Sequence, residues 1–315
     1  MRIGVYGAGA VGGYVGVRLA AAGHDVTLLG RPWLKELGAL EAQDLGREPV
    51  FAHPEVVHEV DALRGCEVVL VTVKSRHSVA AGQDLAGLEV PIVSLQNGLH
   101  NATRVADAAG RAVTPGMVPF NVIVEGRRFR KATSMPLQLQ DDAVGQALAR
   151  AWRTTGEAVQ LVEDMRAVQA GKLLFNLGNG LCAATGLRIQ QMLRDRTARR
   201  VLARCMAEGV AAFRANAVPI QRLGPLPGWA VARLLPLPDV IVLNVARSII
   251  QIDAAAMSST LQDLHAGKPT EIDDLNGEIV RLAPDHSPVN RRIVQAVKGL
   301  EGGPLDFVDP SELLG

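Results

Sequence analysis

Two hydrophobic rhythms divide the chain. Up to residue 164, short β-branched apolar runs alternate with stretches whose apolar positions recur at helical spacing; from Met165 onward the helical period holds almost throughout. The first part predicts strands at the start of Arg2–Gly13 and over Asp25–Gly30, Cys66–Val73, Pro91–Gln96, Val113–Phe120, Asn121–Glu125, Pro136–Gln140 and Val159–Leu161. Helices are predicted over Trp33–Gln43, Ser78–Leu88, Asn101–Ala109 and Asp142–Thr154, with Pro49–Val60 less regular. The second part predicts helices over Met165–Gly180, Ile189–Asn216, Asp239–Ala266, Glu271–Ala283 and Pro288–Gly302. Proline-rich turns at Gly224–Gly228 and Leu235–Pro238 break this series. The pattern predicts an α/β domain over residues 1–164 and an all-helical domain over residues 165–315. A cleft between two such domains is the natural place for a substrate.

The first strand turns into the first helix through Gly7-Ala8-Gly9-Ala10-Val11-Gly12. In this G-x-G-x-x-G frame Gly7 permits the turn, Gly9 removes a Cβ that would block a pyrophosphate, and Gly12 lets helix and strand pack closely. The pyrophosphate would rest on the N–H groups of Ala10, Val11 and Gly12 at the helix start. This context, strand then turn then helix then strand, predicts a Rossmann-type dinucleotide-binding domain. A secretory leader is the competing reading of Met1-Arg2 and the following apolar residues, but the glycines inside its core, Gly4, Gly7, Gly9 and Gly12 among them, argue against it. The next strand ends in Gly30-Arg31, where an NAD-binding unit usually has a carboxylate for the ribose 2′-hydroxyl. A guanidinium there can grip a 2′-phosphate, which favours NADP(H), although an arginine at a strand end can also be a solvated charge.

Composition narrows the class. With 315 residues, 48% of them hydrophobic, and a formal net charge of +1, the chain can bury a sizeable core and gives no electrostatic case for nucleic acid or an anionic membrane surface. No apolar run approaches the ~20 residues that span a bilayer. Cys66, Cys182 and Cys205 lie far apart and outside any C-x-x-C pair, against both a disulfide framework and a zinc site. A cytoplasmic protein with reduced thiols and no metal is expected.

Several polar residues stand where chemistry is done. Lys74 follows a buried-type strand, and Asn97 ends another, where ligands of open α/β sheets bind; a surface lysine and an Asn-Gly turn are the plain alternatives. Lys172 interrupts an apolar helix, with Asn176 one turn on and on the same face. Desolvation would draw its pKa toward neutrality and suit it to orient an anion and donate a proton; a snorkelling lysine beside a packing amide reads equally well. Thr270 with Asp273 reads as a capping-box variant, Glu271 falls in the first turn of that helix, and Ser259 could contact a carboxylate or its own backbone. His24, His265 and His286 fall in a turn, near a helix end and in a loop, better suited to solvation or capping than to acid catalysis.

Taken together, Gly7-x-Gly9-x-x-Gly12, Arg31, Asn97-Gly98, Lys172 with Asn176, Ser258-Ser259-x-Leu261-Gln262-Asp263, Thr270-Glu271-Ile272-Asp273 with Asn276-Gly277, and Pro288-Val289-Asn290 resemble the ketopantoate reductase (2-dehydropantoate 2-reductase) family over nearly the whole chain. The resemblance implies NADPH-dependent reduction of 2-dehydropantoate to pantoate, as in pantothenate biosynthesis. It also implies Lys172 as the acid, Glu271 positioning substrate and lysine, Asn97, Asn176 and Ser259 as substrate contacts, and Arg31 and Lys74 at the NADPH phosphate. The family often carries asparagine eight residues after the lysine, where this chain has Gly180, and three before the key serine, where it has Ala256. These departures keep open a paralogous reductase of a different 2-oxo acid. A non-catalytic NADPH-binding sensor is the more distant alternative, and a homodimer is plausible.

Overall fold

The computed structural model describes residues 1–44, 46–132, 135–224, 226–240, 242 and 257–315. It divides into two compact units, Met1–Met165 and Arg166–Gly315.

The first unit is organised around β1 (Arg2–Tyr6), followed by α1 (Ala10–Ala21) and β2 (Asp25–Leu29). The chain then crosses to the far side of β1, where β6 (Val68–Val71), β7 (Ile92–Ser94) and β8 (Val113–Met117) add in parallel, while β5 (Glu55–Val57) pairs beyond β2. β11 (Leu137–Gln140) joins β8 antiparallel, and β12 (Val159–Val162) completes the order β12-β11-β8-β7-β6-β1-β2-β5. Helices α3 (Ser78–Leu85), α4 (Asn101–Ala109) and α5 (Ala143–Arg153) make the later connections. Every residue of β6 is buried, which is why its sequence is uninterrupted valine and leucine rather than an alternation. The winding reverses at β1, and in doubly wound sheets the ligand crevice opens at the carboxyl ends of the strands beside that reversal.

A second sheet of order β4-β3-β10-β9 packs on α1. Its strands are β3 (Leu40–Gln43), β4 (Val50–Ala52), β9 (Val122–Glu125) and β10 (Arg128–Lys131). This corrects the helix predicted over Trp33–Gln43. Only α2 (Pro32–Glu36) is helical; Gly38, at φ +67°, turns the chain, and Leu40 and Ala42 are buried in the sheet while Glu41 pairs with Arg128 at 2.6 Å. Long-range pairing overrides the helical periodicity of that stretch. The irregular Pro49–Val60 likewise contains β4 and β5.

A buried ionic cluster fastens α1 to this sheet. Arg18 lies 3.3 Å from Asp44 and 3.6 Å from Glu157, and donates at 2.6 Å to the Thr155 carbonyl. Lys131 pairs with Glu157, and the Tyr14 hydroxyl donates to Asp44. Burial alone would raise the Asp44 pKa, but hydrogen bonding to Glu157 and Tyr14 and the charges of Arg18 and Lys131 bring it below the ordinary carboxylate value.

The second unit is helical: α6 (Met165–Thr185), α7 (Ile189–Arg194), α8 (Arg196–Ala215), α9 (Gly228–Leu234), α10 (Ser259–His265), α11 (Asn276–Leu282) and α12 (Pro288–Leu300). The single helix predicted over Ile189–Asn216 is two. Asp195 is extended and its carboxylate caps α8 by accepting from the Ala198 N–H, which ends one helix and starts the next. Gly228–Leu234, read as lying between turns, is a helix that starts after Pro227. Of the helix predicted over Asp239–Ala266, most lies outside the described residues and α10 is its final part. Cys66, Cys182 and Cys205 are free thiols. Among the described residues no helix is long and apolar enough to cross a membrane, and no cluster of His, Cys, Asp and Glu could hold a metal ion.

Because the Asp44 carboxyl is held below its ordinary pKa, its stabilising effect is present at neutral pH and is lost only as pH falls below the ordinary carboxylate value of about 4. Asp44→Asn is expected to cost about 3 kcal/mol at pH 7 and to flatten the acid limb of stability. Urea unfolding at pH 7 and at about pH 3, below the ordinary carboxylate value, checks both outcomes, and an unchanged acid limb would show that other groups govern it.

Candidate active site

The turn between β1 and α1 is built to leave space. Gly7 has φ +103°, and a Cβ there would meet Val73 Cγ1 at 2.5 Å. The Gly7 and Ala8 N–H groups both donate to the Leu29 carbonyl at 3.1 Å, tying the turn to the end of β2. A Cβ on Gly9 would meet nothing within 4 Å, so the space above this glycine is open. A Cβ on Gly12 would collide with the Gly7 carbonyl oxygen and Thr72 Oγ1. Helix α1 opens at Gly9 with no side-chain cap and no acidic residue in its first turn, so the N–H groups of Ala10, Val11 and Gly12 face that space without an internal anion. The residues present therefore fit a pyrophosphate. Thr72, which sequence reasoning missed, donates its hydroxyl to the Gly7 carbonyl at 2.6 Å and holds the turn from β6. Its place at the end of an apolar strand was the available signal.

Arg31 is exposed and occupies the residue before α2. Gly30 beside it is clamped on both sides: its N–H donates to the Val57 carbonyl at 3.1 Å, and its carbonyl accepts from His58 Nδ1 at 3.0 Å. An open groove of about 600 Å³ follows β5 and is lined by Lys35, His53 and His58 among others.

Lys74 and Asn97, both half-buried, follow β6 and β7. A buried polar network beneath them fixes these loops. Gln96 Nε2 donates to the Val73 carbonyl at 2.9 Å and to Ser78 Oγ at 2.8 Å, and Gln96 Oε1 accepts from Ser94 at 3.0 Å. Ser78 donates to Asn101 Oδ1 at 3.0 Å, and Asn101 Nδ2 donates to Ser75 Oγ and to the Asn97 carbonyl. Asn97 therefore turns at a supported position, with Gly98 at φ +86° following it.

In the helical unit, Lys172 and Asn176 are partly exposed on α6, while Leu173, Leu174 and Leu177 are buried. Protein atoms crowd the Lys172 ammonium even though the residue keeps some exposure. Desolvation draws its ammonium down to about 8, partly opposed by the Glu271 carboxylate. Glu271 is buried and precedes a single 3-10 turn over Ile272–Asp274, so it does not stand in the first turn of an α-helix. The predicted capping box at Thr270 does not form. Thr270 donates to Glu301 at 2.6 Å, and Asp273 pairs with Lys298 at 2.6 Å, because these long-range partners satisfy them first. Ser258, not Ser259, caps α10, accepting from the Leu261 N–H at 3.2 Å and donating to the Asn179 carbonyl at 3.2 Å. Ser259 is partly exposed at the first position of that helix. At Gly180 a Cβ would collide with Asn276 Oδ1 and meet Ile272 Cδ1 at 2.7 Å, so this arrangement admits no side chain there. Ala256 lies outside the described residues.

A parallel-sheet unit with a glycine turn open to a pyrophosphate, joined in one chain to a helical unit carrying a desolvated lysine, defines a nicotinamide dinucleotide-dependent oxidoreductase. Sequence models described as Ketopantoate reductase PanE/ApbA and as its C-terminal part match residues 3–141 and 164–301. The chain belongs to the ketopantoate reductase family. It is 28% identical to the 2-dehydropantoate 2-reductase of Halobacterium salinarum, over 95% of this chain and 98% of that one. It is 25% identical to the enzyme of that name from Vibrio cholerae, over 96% and 98%. A crystal structure of a PanE/ApbA family ketopantoate reductase from Ralstonia eutropha aligns with TM-score 0.81 at 28% identity, covering 96% of this chain and 98% of that one.

Thr72→Ala removes the hydroxyl that holds the Gly7 carbonyl and is expected to cost roughly 1 kcal/mol of stability. The KM for the dinucleotide should rise several-fold with kcat nearly unchanged, read by initial rates over a cofactor series. A fall in kcat at constant KM would place Thr72 elsewhere in the chemistry.

Proposed function

We propose that the protein reduces 2-dehydropantoate to pantoate with NADPH in the cytoplasm, with Lys172 as the general acid. One observation carries this reading: a lysine set deep in an apolar helix, its ammonium drawn down to about 8 with the Glu271 carboxylate acting on it. Carbonyl reduction needs a hydride on carbon and a proton on oxygen. The bound NADPH supplies the hydride. Lys172 supplies the proton: at neutral pH it is still largely protonated, yet it donates far more readily than a lysine at its ordinary value near 10.4. Its positive charge also orients the substrate carboxylate, and Glu271 holds the ammonium in place. Asn176 shares the exposed strip of α6 with Lys172, which suits it to the substrate carboxylate or hydroxyls, and Ser259 and Asn97 are further contacts. The N–H groups of Ala10, Val11 and Gly12 hold the pyrophosphate across Gly7 and Gly9, Arg31 takes the 2′-phosphate, and Lys74 meets a phosphate. Gln96 and Asn101 keep Asn97 oriented. A fold relative from Staphylococcus aureus, 16% identical, is described as dimeric, and a homodimer is proposed here too.

A second reading, a paralogue acting on a different 2-oxo acid, is favoured by Gly180, because Asn276 occupies the space a side chain there would need. NADPH oxidation with 2-dehydropantoate against a panel of 2-oxo acids separates the two. Turnover confined to another acid would retain the mechanism and change the substrate, and binding of NADPH without any turnover would leave a sensor.

Lys172→Ala is expected to lower kcat by about 10²–10⁴-fold, the range for loss of a positioned acid, with dinucleotide affinity retained. Since the donor must be protonated, the wild-type rate of reduction should fall as pH rises through about 8. Unchanged turnover in Lys172→Ala would remove it from the mechanism. Arg31→Ala should raise the KM for NADPH at least tenfold, the effect of about 1.4 kcal/mol, and leave that for NADH nearly constant. A parallel rise in both would deny Arg31 the 2′-phosphate.

A further inference from the structure

A chain of hydrogen bonds with a fixed direction runs through the helical unit and ends beside the lysine helix. It starts at Glu208 on α8, whose carboxylate accepts from the Val289 and Asn290 N–H groups at 3.0 Å and so caps α12 from another helix. Asn290 Nδ2 donates to the same carboxylate at 2.7 Å and to the Cys205 carbonyl at 3.2 Å. Both partners can only accept, so the Asn290 amide has one permitted orientation and its Oδ1 must accept from elsewhere. Asn276, fully buried, meets that demand with Nδ2 at 2.9 Å and spans to the Leu177 carbonyl of α6 at 3.4 Å. Its own Oδ1 is thereby forced against Gly180, where no donor among the described residues reaches it. Swapping the amide would set oxygen against two oxygens. A buried acceptor left without a donor is uncommon in native structures and asks for a reason.

The reason lies in what Asn276 fastens. Residues 271–276 meet α6 at two places, where Ile272 packs over Gly180 and Asn276 reaches Leu177, and the Glu271 carboxylate at the head of the same segment acts electrostatically on Lys172. Lys172 and Leu177 are on the same helix, and Glu271 and Asn276 are separated only by one 3-10 turn and Leu275. We propose that Asn276, oriented by Asn290 and Glu208, is a positioning residue that fixes the Glu271 carboxylate relative to the Lys172 ammonium. This rests on the reading of Lys172 as the proton donor. The Glu271 carboxylate raises the lysine pKa against desolvation. If the 3-10 turn loosens, that support weakens and the lysine titrates at lower pH.

The test is the pH dependence of kcat/KM for 2-oxo acid reduction at saturating NADPH, in wild type, Asn276→Ala and Glu208→Gln, beside thermal melting. In both variants the alkaline limb should move to lower pH by about half a unit or more, roughly a threefold change in the protonated fraction above the limb, with the KM for NADPH constant. A limb that stays at its wild-type position in a folded variant overturns the proposal, even if the melting temperature drops, because a merely structural role predicts that outcome. Should Asn276→Ala not fold, Glu208→Gln, which keeps the shape of the capping side chain, decides by the same limb. Lost turnover in Lys172→Ala together with an unmoved limb in Asn276→Ala sinks this inference alone. Retained turnover in Lys172→Ala sinks the reading beneath it.

Discussion

An ammonium placed deep in protein is costly, and the helical unit is arranged around that cost at Lys172. Taken from water without a partner, such a charge would lose its proton. Glu271 supplies part of what water no longer does, but only if it is held close, and a carboxylate on a loose loop would turn outward to solvent. Its own segment is therefore anchored on both flanks: Thr270 bonds to Glu301 before it, and Ile272 and Asn276 are buried after it. The apolar residues of α6 serve the same end, since each buried leucine around Lys172 lowers the local dielectric and sharpens the attraction between the two charges.

The dinucleotide unit answers a different constraint, that backbone must approach an anion closely. Glycines create the space, yet space alone would collapse without supports behind it. The Leu29 carbonyl and the Thr72 hydroxyl pull the turn from two neighbouring strands. The second sheet and the Arg18–Asp44–Glu157–Lys131 cluster brace α1 on its other side. The first helix is thus held from both faces, which explains how a segment with several glycines remains an ordered helix.

What could be read from the chain followed interaction range. The parallel strands were legible because β6 and its neighbours are short valine-rich runs between helical stretches, and the glycine turn because its spacing carries its own geometry. Lys172 stood out as a charge in an apolar helix. Strand β3 did not, because Leu40-Glu41-Ala42-Gln43 becomes a strand only when β10, almost ninety positions later, lies beside it. Thr270 and Asp273 misled for the same reason, their partners Glu301 and Lys298 being remote in sequence. Ser258 and Ser259 are adjacent, and only the helix start shows that the first of them caps. Asn276 and Asn290 were visible as motif members, while Glu208 was one unremarked position of the helix predicted over Ile189–Asn216; that they form one directed chain depends on three helices meeting.

The division at Met165 has a consequence for how the protein is made. All strand partners of β1, and the whole cluster that braces α1, lie within the first 165 residues. A ribosome adding about 5–20 residues per second needs on the order of ten seconds more to reach Gly315. During that interval the first unit has every contact it requires to close its sheet. A nascent chain can then close the sheet that carries the glycine turn before Glu271 has left the exit tunnel, so a dinucleotide binding there would favour the closed sheet by mass action while the helical unit is still being made.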